Sequence, residues 1–249
     1  MKIRKILVSQ PEPTTGKSPY FGLSEKTGVQ IDFRPFILVE PISGKEFRNQ
    51  KISIADHTAV VFTSRTAIDH FFRIAQELRV TVPDGMKYFC ISEAAAFYLQ
   101  KYIVYRKRKI FNGNGTFPNL VEVMQKHKGE KFIVPLSDIH KPQIPELLDS
   151  NGFTYSKAIM YKTVSSDLSD LADVNYDILV FFSPSGITSL LKNFPEFKQN
   201  ETKIASFGAT TAKAVSEAGL RLDIQVPSPQ APSMAMALDQ YITEFNKKK

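Results

Sequence analysis

DILVFFSPSGITSLL, residues 177–191, is the stretch from which the fold is read. Five consecutive apolar residues, Ile178 to Phe182, run into Ser183-Pro184-Ser185-Gly186. An unalternating apolar run of strand length is what a parallel-sheet strand shows when both of its faces are covered. Ser183 stands where a helix N-cap belongs, and Pro184 fits the first helical position, whose amide would be unpaired anyway. Ile187, Leu190, Leu191 and Phe194 follow at i, i+3, i+4 and i+7, one apolar helix face. The stretch predicts strand, polar turn and helix, with bare amides at the helix start that favour an anion.

Upstream, HTAVVFTSRTAIDHFFR (residues 57–73) has the same grammar. Ser64 and Ser183 stand 119 residues apart, and at that offset Ile68, Phe71, Phe72 and Ala75 fall on Ile187, Leu190, Leu191 and Phe194. Matching apolar phase behind matching turns marks an internal repeat. The next units answer each other at an offset of 117, KYFCISEAAAFYLQKY (87–102) against KIASFGATTAKAVSEAGL (203–220). That offset sets Ala94, Phe97 and Tyr98 on Thr211, Ala214 and Val215, and Ile91-Ser92-Glu93-Ala94 on Gly208-Ala209-Thr210-Thr211. Further on, Pro118 and Pro232 are each placed to start a helix.

The remaining segments pair in shuffled order. Residues 5–39 read as a strand, a middle stretch and a second strand (VQIDFRPFILV, 29–39). Residues 131–164 read likewise: a strand, a helix over 142–151 stopped at Gly152, and a second strand. Each domain needs one copy, so the N-terminal copy serves the C-terminal half. The expected architecture is α/β, two similar lobes, each a parallel sheet flanked by helices. One lobe is discontinuous, 1–36 plus 165–249, and the other continuous, 41–158; extended linkers at 37–40 and 159–164 join them. A cleft between the lobes is expected, faced by strand C-terminal ends and helix N-termini. Residues 11–25, rich in Pro, Gly, Ser and Thr, predict a mobile loop with at most a short helix.

At 249 residues, 43% hydrophobic and 23% charged, the chain is an ordinary globular protein with room for two domains. No apolar run approaches the roughly 20 residues of a membrane span. The N-terminal apolar core, Ile6-Leu7-Val8, is too short for a signal peptide. A single cysteine, Cys90, excludes an intrachain disulfide and fits a reducing compartment. A cytoplasmic protein is expected, with neither membrane nor nucleic acid as partner, and nothing demands an oligomer, so a monomer is expected too. The net charge of +7 admits an anionic ligand. Its tail Lys247-Lys248-Lys249 and the cluster Tyr105-Arg106-Lys107-Arg108-Lys109 read as solvated segments.

Four scattered histidines, His57, His70, His127 and His140, lack ligand spacing, so no metal is expected. No G-x-S-x-G elbow, P-loop or G-x-G-x-x-G follows a strand, and no cofactor is expected. Hydroxyl- or Gly-bearing turns recur instead: Ser9, Thr63-Ser64, Ser92, Ser137, Ser183-Ser185 and Gly208-Ala209-Thr210-Thr211. Each alone reads as an N-cap. Together they suit a ligand with many negative groups, since one helix end contributes only about 0.3–1 kcal/mol toward an anion. A cofactor-independent enzyme and a non-catalytic two-lobed binding protein for an anionic small molecule would both use such turns.

The chain resembles the uroporphyrinogen-III synthase family. The resemblance lies in Phe181-Phe182-Ser183-Pro184-Ser185-Gly186, Phe207-Gly208-Ala209-Thr210-Thr211-Ala212 with Gly219-Leu220, and Pro227-Ser228-Pro229. Met160-Tyr161-Lys162-Thr163-Val164 resembles the family's V-Y-x-T crossing strand, and Val61-Phe62-Thr63-Ser64 with Ala67 its F-T-S turn. The resemblance implies closure of the linear tetrapyrrole hydroxymethylbilane to uroporphyrinogen III, with ring D inverted and water lost, without metal or organic cofactor. It implies Tyr161 as the acid or leaving-group partner. It implies Ser183, Ser185, Gly186, Gly208, Thr210, Thr211, Thr63 and Ser64 as the grip on a polycarboxylate substrate. The chain departs from the pattern at Glu93, which sets a negative charge near a turn meant for carboxylates, and at Ser9-Gln10-Pro11, where the family often has Arg before Pro.

Overall fold

The computed structural model describes residues 2–14, 16–172 and 175–247. Thr15, within the expected mobile loop, and Lys248 and Lys249 of the basic tail lie outside the described residues. The chain divides into two compact units, a discontinuous one, Met1–Leu38 with Val164–Lys249, and a continuous one, Val39–Thr163.

In the discontinuous unit, β1 (Lys5–Val8), β2 (Gln30–Phe33), β9 (Ile178–Phe181), β10 (Lys203–Phe207) and β11 (Ile224–Val226) form a parallel sheet in the order β11-β10-β9-β1-β2. Side chains alternate between its faces. Ile6, Val8, Ile178 and Val180 lie under α1 (Pro19–Thr27) and α9 (Met234–Lys247). Leu7, Leu179, Phe181 and Ile204 lie under α7 (Pro184–Asn193) and α8 (Ala209–Glu217). With both faces covered, β9 is apolar at every position, as residues 177–191 predict.

In the continuous unit, β3 (Ile37–Pro41), β4 (Ala59–Phe62), β5 (Lys87–Cys90), β6 (Ile110–Asn112), β7 (Lys131–Ser137) and β8 (Thr154–Ser165) are ordered β3-β8-β7-β4-β5-β6. After a short α2 (Gly44–Arg48), α3 (Arg65–Glu77) and α4 (Glu93–Tyr98) cover the face of Val60, Phe62, Tyr88 and Cys90. Helices α5 (Phe117–Gln125) and α6 (Gln143–Ser150) cover that of Val61, Phe89, Phe132 and Val134.

Leaving out the edge strand β3, the run β6-β5-β4-β7-β8 repeats β11-β10-β9-β1-β2, with β7 and β8 in the places of β1 and β2. The N-terminal strand pair does complete the C-terminal sheet. In each sheet the winding direction reverses between two central neighbours, β4 and β7 in one and β9 and β1 in the other. Such a switch point opens a crevice at the strands' C-terminal ends, where ligands of open α/β sheets bind. The turns after Val8, Phe62 and Phe181 lie there.

Several expectations need correction. The α4 and α8 segments correspond at 116 residues, not 117: the N-caps Ser92 and Gly208 align, as do the first strand residues Lys87 and Lys203. The buried faces then agree, Ala95, Ala96 and Leu99 with Thr211, Ala212 and Val215, whereas Ala94 and Phe97 face solvent. The true counterpart of Gly208-Ala209-Thr210-Thr211 is Ser92-Glu93-Ala94-Ala95. Pro118 does start α5, but Pro232 precedes α9, whose first turn is closed by Ser233 Oγ accepting from Met236 N at 3.3 Å. The stretch after Pro11 holds a nine-residue helix, α1, longer than expected, started by Ser18 and Pro19 and ended by Gly28 at φ +67°. The single strand expected over 29–39 is split into β2 and β3 at Arg34-Pro35, where proline has no amide for a ladder.

Candidate active site

In the discontinuous unit, Ser183 adopts an extended conformation and its Oγ accepts from Gly186 N at 3.3 Å, closing the first turn of α7. Gly186 is buried, and a side chain there would be crowded. A Cβ there would lie 3.2 Å from the Phe181 ring and 3.8 Å from the hydroxyls of both Ser183 and Ser9. Ser9, the residue after β1, donates its amide to Val180 O at 3.0 Å, and with Ser183 it flanks Gly186 at the switch point. Ser185 is half-buried beside them.

One strand over, Gly208 sits at φ +87° and ψ 150°, a region open to glycine and strained for other residues. No described side chain caps α8, so its first amides keep their partial positive charge. Thr210 is exposed on that turn; Thr211 is only 1% exposed, its side chain spent on packing. Between the two turns Phe182 and Phe207 stack at 6.1 Å, with Phe207 38% exposed, an aromatic platform suited to a flat ring.

In the continuous unit, Ser64 Oγ accepts from Ala67 N at 3.0 Å and closes α3, with Thr63 half-buried beside it. Tyr161 reaches the same turn through an irregularity in β8. Leu136 pairs with Ile159 but Ser137 with Tyr161, so Met160 is skipped. This bulge puts consecutive residues, Met160 and Tyr161, into one core face, and re-aiming a side chain is a common use of such bulges. Tyr161 is 8% exposed and its ring stacks on His70 at 4.9 Å. Burial raises the phenol's pKa and the Ser64 side chain partly offsets the rise, so the hydroxyl is protonated at neutral pH and can donate. Burial, then the Arg73 cation, lowers the pKa of His70 and keeps it neutral. Next to Tyr161, Asp138 Oδ1 accepts from Thr163 N and Ser137 Oγ, both at 2.9 Å.

The structure thus gathers Tyr161, Ser64 and Thr63 at one sheet edge. It gathers Ser183, Ser185, Gly186, Gly208 and Thr210 along another. Sequence reasoning missed Phe182 with Phe207 as a platform, and His70 with Arg73 beside Tyr161. The second pair left a signal: His70 and Arg73 interrupt α3 where α7, otherwise in phase, has Ser189 and Lys192. No helix among the described residues is long and apolar enough to cross a membrane.

Comparison with known proteins bears on the whole chain. A uroporphyrinogen-III synthase of Chlorobaculum parvum is 23% identical over 254 residues, covering 95% of this chain and 98% of that protein. A uroporphyrinogen-III synthetase structure from Helicobacter pylori shares the fold with a TM-score of 0.62 at 16% identity, covering 97% of this chain and 100% of that one. A mutant uroporphyrinogen III synthase from Thermus thermophilus does so with a TM-score of 0.59 at 15% identity, covering 97% and 99%. The family model for uroporphyrinogen-III synthase HemD matches residues 19–236. With most of its length matched by that model, this chain belongs to the uroporphyrinogen-III synthase family.

Proposed function

We propose that this chain closes hydroxymethylbilane into uroporphyrinogen III in tetrapyrrole (heme) biosynthesis, and that the two units divide the work. The observation that carries the reaction is the family match over residues 19–236. Tyr161 donates its proton to the terminal hydroxyl, which leaves as water while the ring nitrogen's electrons form an azafulvene. The substituted carbon of ring D attacks that azafulvene, giving a spiro intermediate; this opens and recloses with ring D inverted. A proton lost on rearomatisation restores the phenol. Its protonated state at neutral pH and its mostly buried place beside Ser64 support the acid role.

Thr63 and Ser64 contact the substrate near the reacting end. Ser183, Ser185 and Gly186 at the start of α7, and Gly208, Thr210 and the Thr211 amide at the start of α8, hold its carboxylates. Positioning and exclusion of water then supply most of the rate. We read the working form as a cytoplasmic monomer; light scattering on the purified protein checks the monomer. The reaction itself is tested by giving the protein hydroxymethylbilane and resolving the isomers. Type III product is expected; type I alone, the spontaneous uninverted isomer, would end the reading and leave a binding protein.

A further inference from the structure

The bulge that turns Tyr161 inward is held by a side chain that the proposed chemistry does not use. Arg73 Nε donates to His70 Nδ1 at 3.2 Å, and its Nη2 donates to Ile42 O at 2.8 Å and to Met160 O at 3.1 Å. Its Nη1 pairs with Glu77, whose other oxygen accepts from Gly44 N at 2.7 Å. Met160 is the residue the β8 register skips, and His70 is the ring lying on Tyr161. One planar cation therefore grips the backbone of the bulge and the side chain stacked on the phenol. His70, held neutral, accepts at Nδ1, so its proton sits on Nε2.

The other unit differs at these positions. Helix α7 shares the apolar phase of α3, but Ser189 and Lys192 replace His70 and Arg73. Ser189 is fully buried, Lys192 is exposed, and the β1–β2 ladder ends at Val8 and Phe33, short of the place that corresponds to the bulge. Helix α7 has no arginine to clamp a strand.

We infer that Arg73 is a positioning residue that acts through His70 and the Met160 carbonyl to hold the Tyr161 hydroxyl in its reactive place. This rests on the role proposed for Tyr161. Arg73→Lys keeps the charge but replaces a fork that spans four acceptors with a single ammonium. His70→Phe keeps the stacked ring and removes the acceptor.

The first measurement needs no substrate: fluorotyrosine placed at position 161 and followed by fluorine NMR. Both substitutions are expected to shift or broaden its line relative to the parent protein. In steady state, Arg73→Lys is expected to lower kcat by about 100-fold, the scale of a misplacement of about 1 Å, with KM changed less than about twofold. Combined with Tyr161→Phe it should add no further loss, because both act through one hydroxyl. An unchanged fluorine line, or losses that multiply in the double variant, would overturn the inference. Should Arg73→Lys fail to fold, His70→Phe, which removes one hydrogen bond, carries the same comparison. Type I product alone from the parent protein would defeat the cyclase reading, while the fluorine line would still decide whether the clamp exists.

Discussion

The starts of α4 and α8 occupy equivalent places in the two units, yet one closes on itself and the other stays open. Ser92 is extended at φ −150°, and its Oγ accepts from Ala95 N at 3.3 Å, with Glu93 following as the first helical residue. Gly208 at φ +87° offers no side chain to its helix. The packing behind both is conserved within the chain, Ala95, Ala96 and Leu99 answering Thr211, Ala212 and Val215. A repeat can thus keep its core while dividing its chemistry at the edge. The discontinuous unit retains an anion-favouring helix end, and the continuous unit gives that up and carries the buried phenol.

The largest effect expected from breaking this division comes from Tyr161→Phe. It should lower turnover by about 100-fold or more, the usual worth of a positioned acid, with substrate affinity nearly unchanged. Unchanged turnover would remove the phenol from the mechanism. Gly208→Ser copies the closed turn into the open one. The backbone there should cost about 1–3 kcal/mol, read as a lower Tm. Capping the helix should also raise KM by about two- to fivefold, the factor equivalent to the roughly 0.3–1 kcal/mol of one helix end. A KM unmoved by the serine would mean that α8 does not meet the substrate.

Ser64→Ala and Ser183→Ala remove matching caps, 3.0 and 3.3 Å bonds to the third following amide. Each should cost about 1 kcal/mol in denaturant unfolding, and unequal costs would show that one hydroxyl does more than cap. The smallest effect concerns pH. All four histidines lie in the continuous unit, and His57, His70 and His127 have lowered pKa values, in each case first through burial. A base whose pKa is depressed by folding binds its proton more readily when unfolded. Its contribution is therefore complete above the ordinary histidine pKa of about 6.5 and is lost as pH falls below it. Amide protection, taken relative to the intrinsic exchange rate at each pH, should fall first in residues 39–163 as pH drops from about 7 to about 5.5. Protection lost first in the other unit would contradict the assignment.

The parts of this fold legible in the sequence are those set by neighbours along the chain. Ser183-Pro184 and Ser64 announce their helices because capping is local, and Ile68 with Phe71 shares its phase with Ile187 and Leu190. The phase of α4 misleads because EAAAFY offers three alanines and an aromatic. The natural guess buries Phe97, which is 59% exposed, whereas Ala95 and Ala96 face the core. The bulge at Met160 is invisible in sequence, since it exists only in the register between β7 and β8. For the same reason Tyr161 is recognisable as a residue but not its burial, its stacking on His70 or the hold of Arg73. Thr211 shows the converse, a motif residue whose side chain the core has claimed.

The discontinuous unit also imposes an order on biosynthesis. When β1 and β2 leave the ribosome, the strand that pairs with the other edge of β1 has yet to be translated: β9 begins at Ile178. The two pioneer strands expose unpaired edges throughout that interval, a condition that invites association. Residues 39–163, by contrast, carry every strand of their own sheet except the crossing residues at the start of β3 and the end of β8. They are equipped to fold during translation, while the older N-terminal segment waits for the last third of the chain.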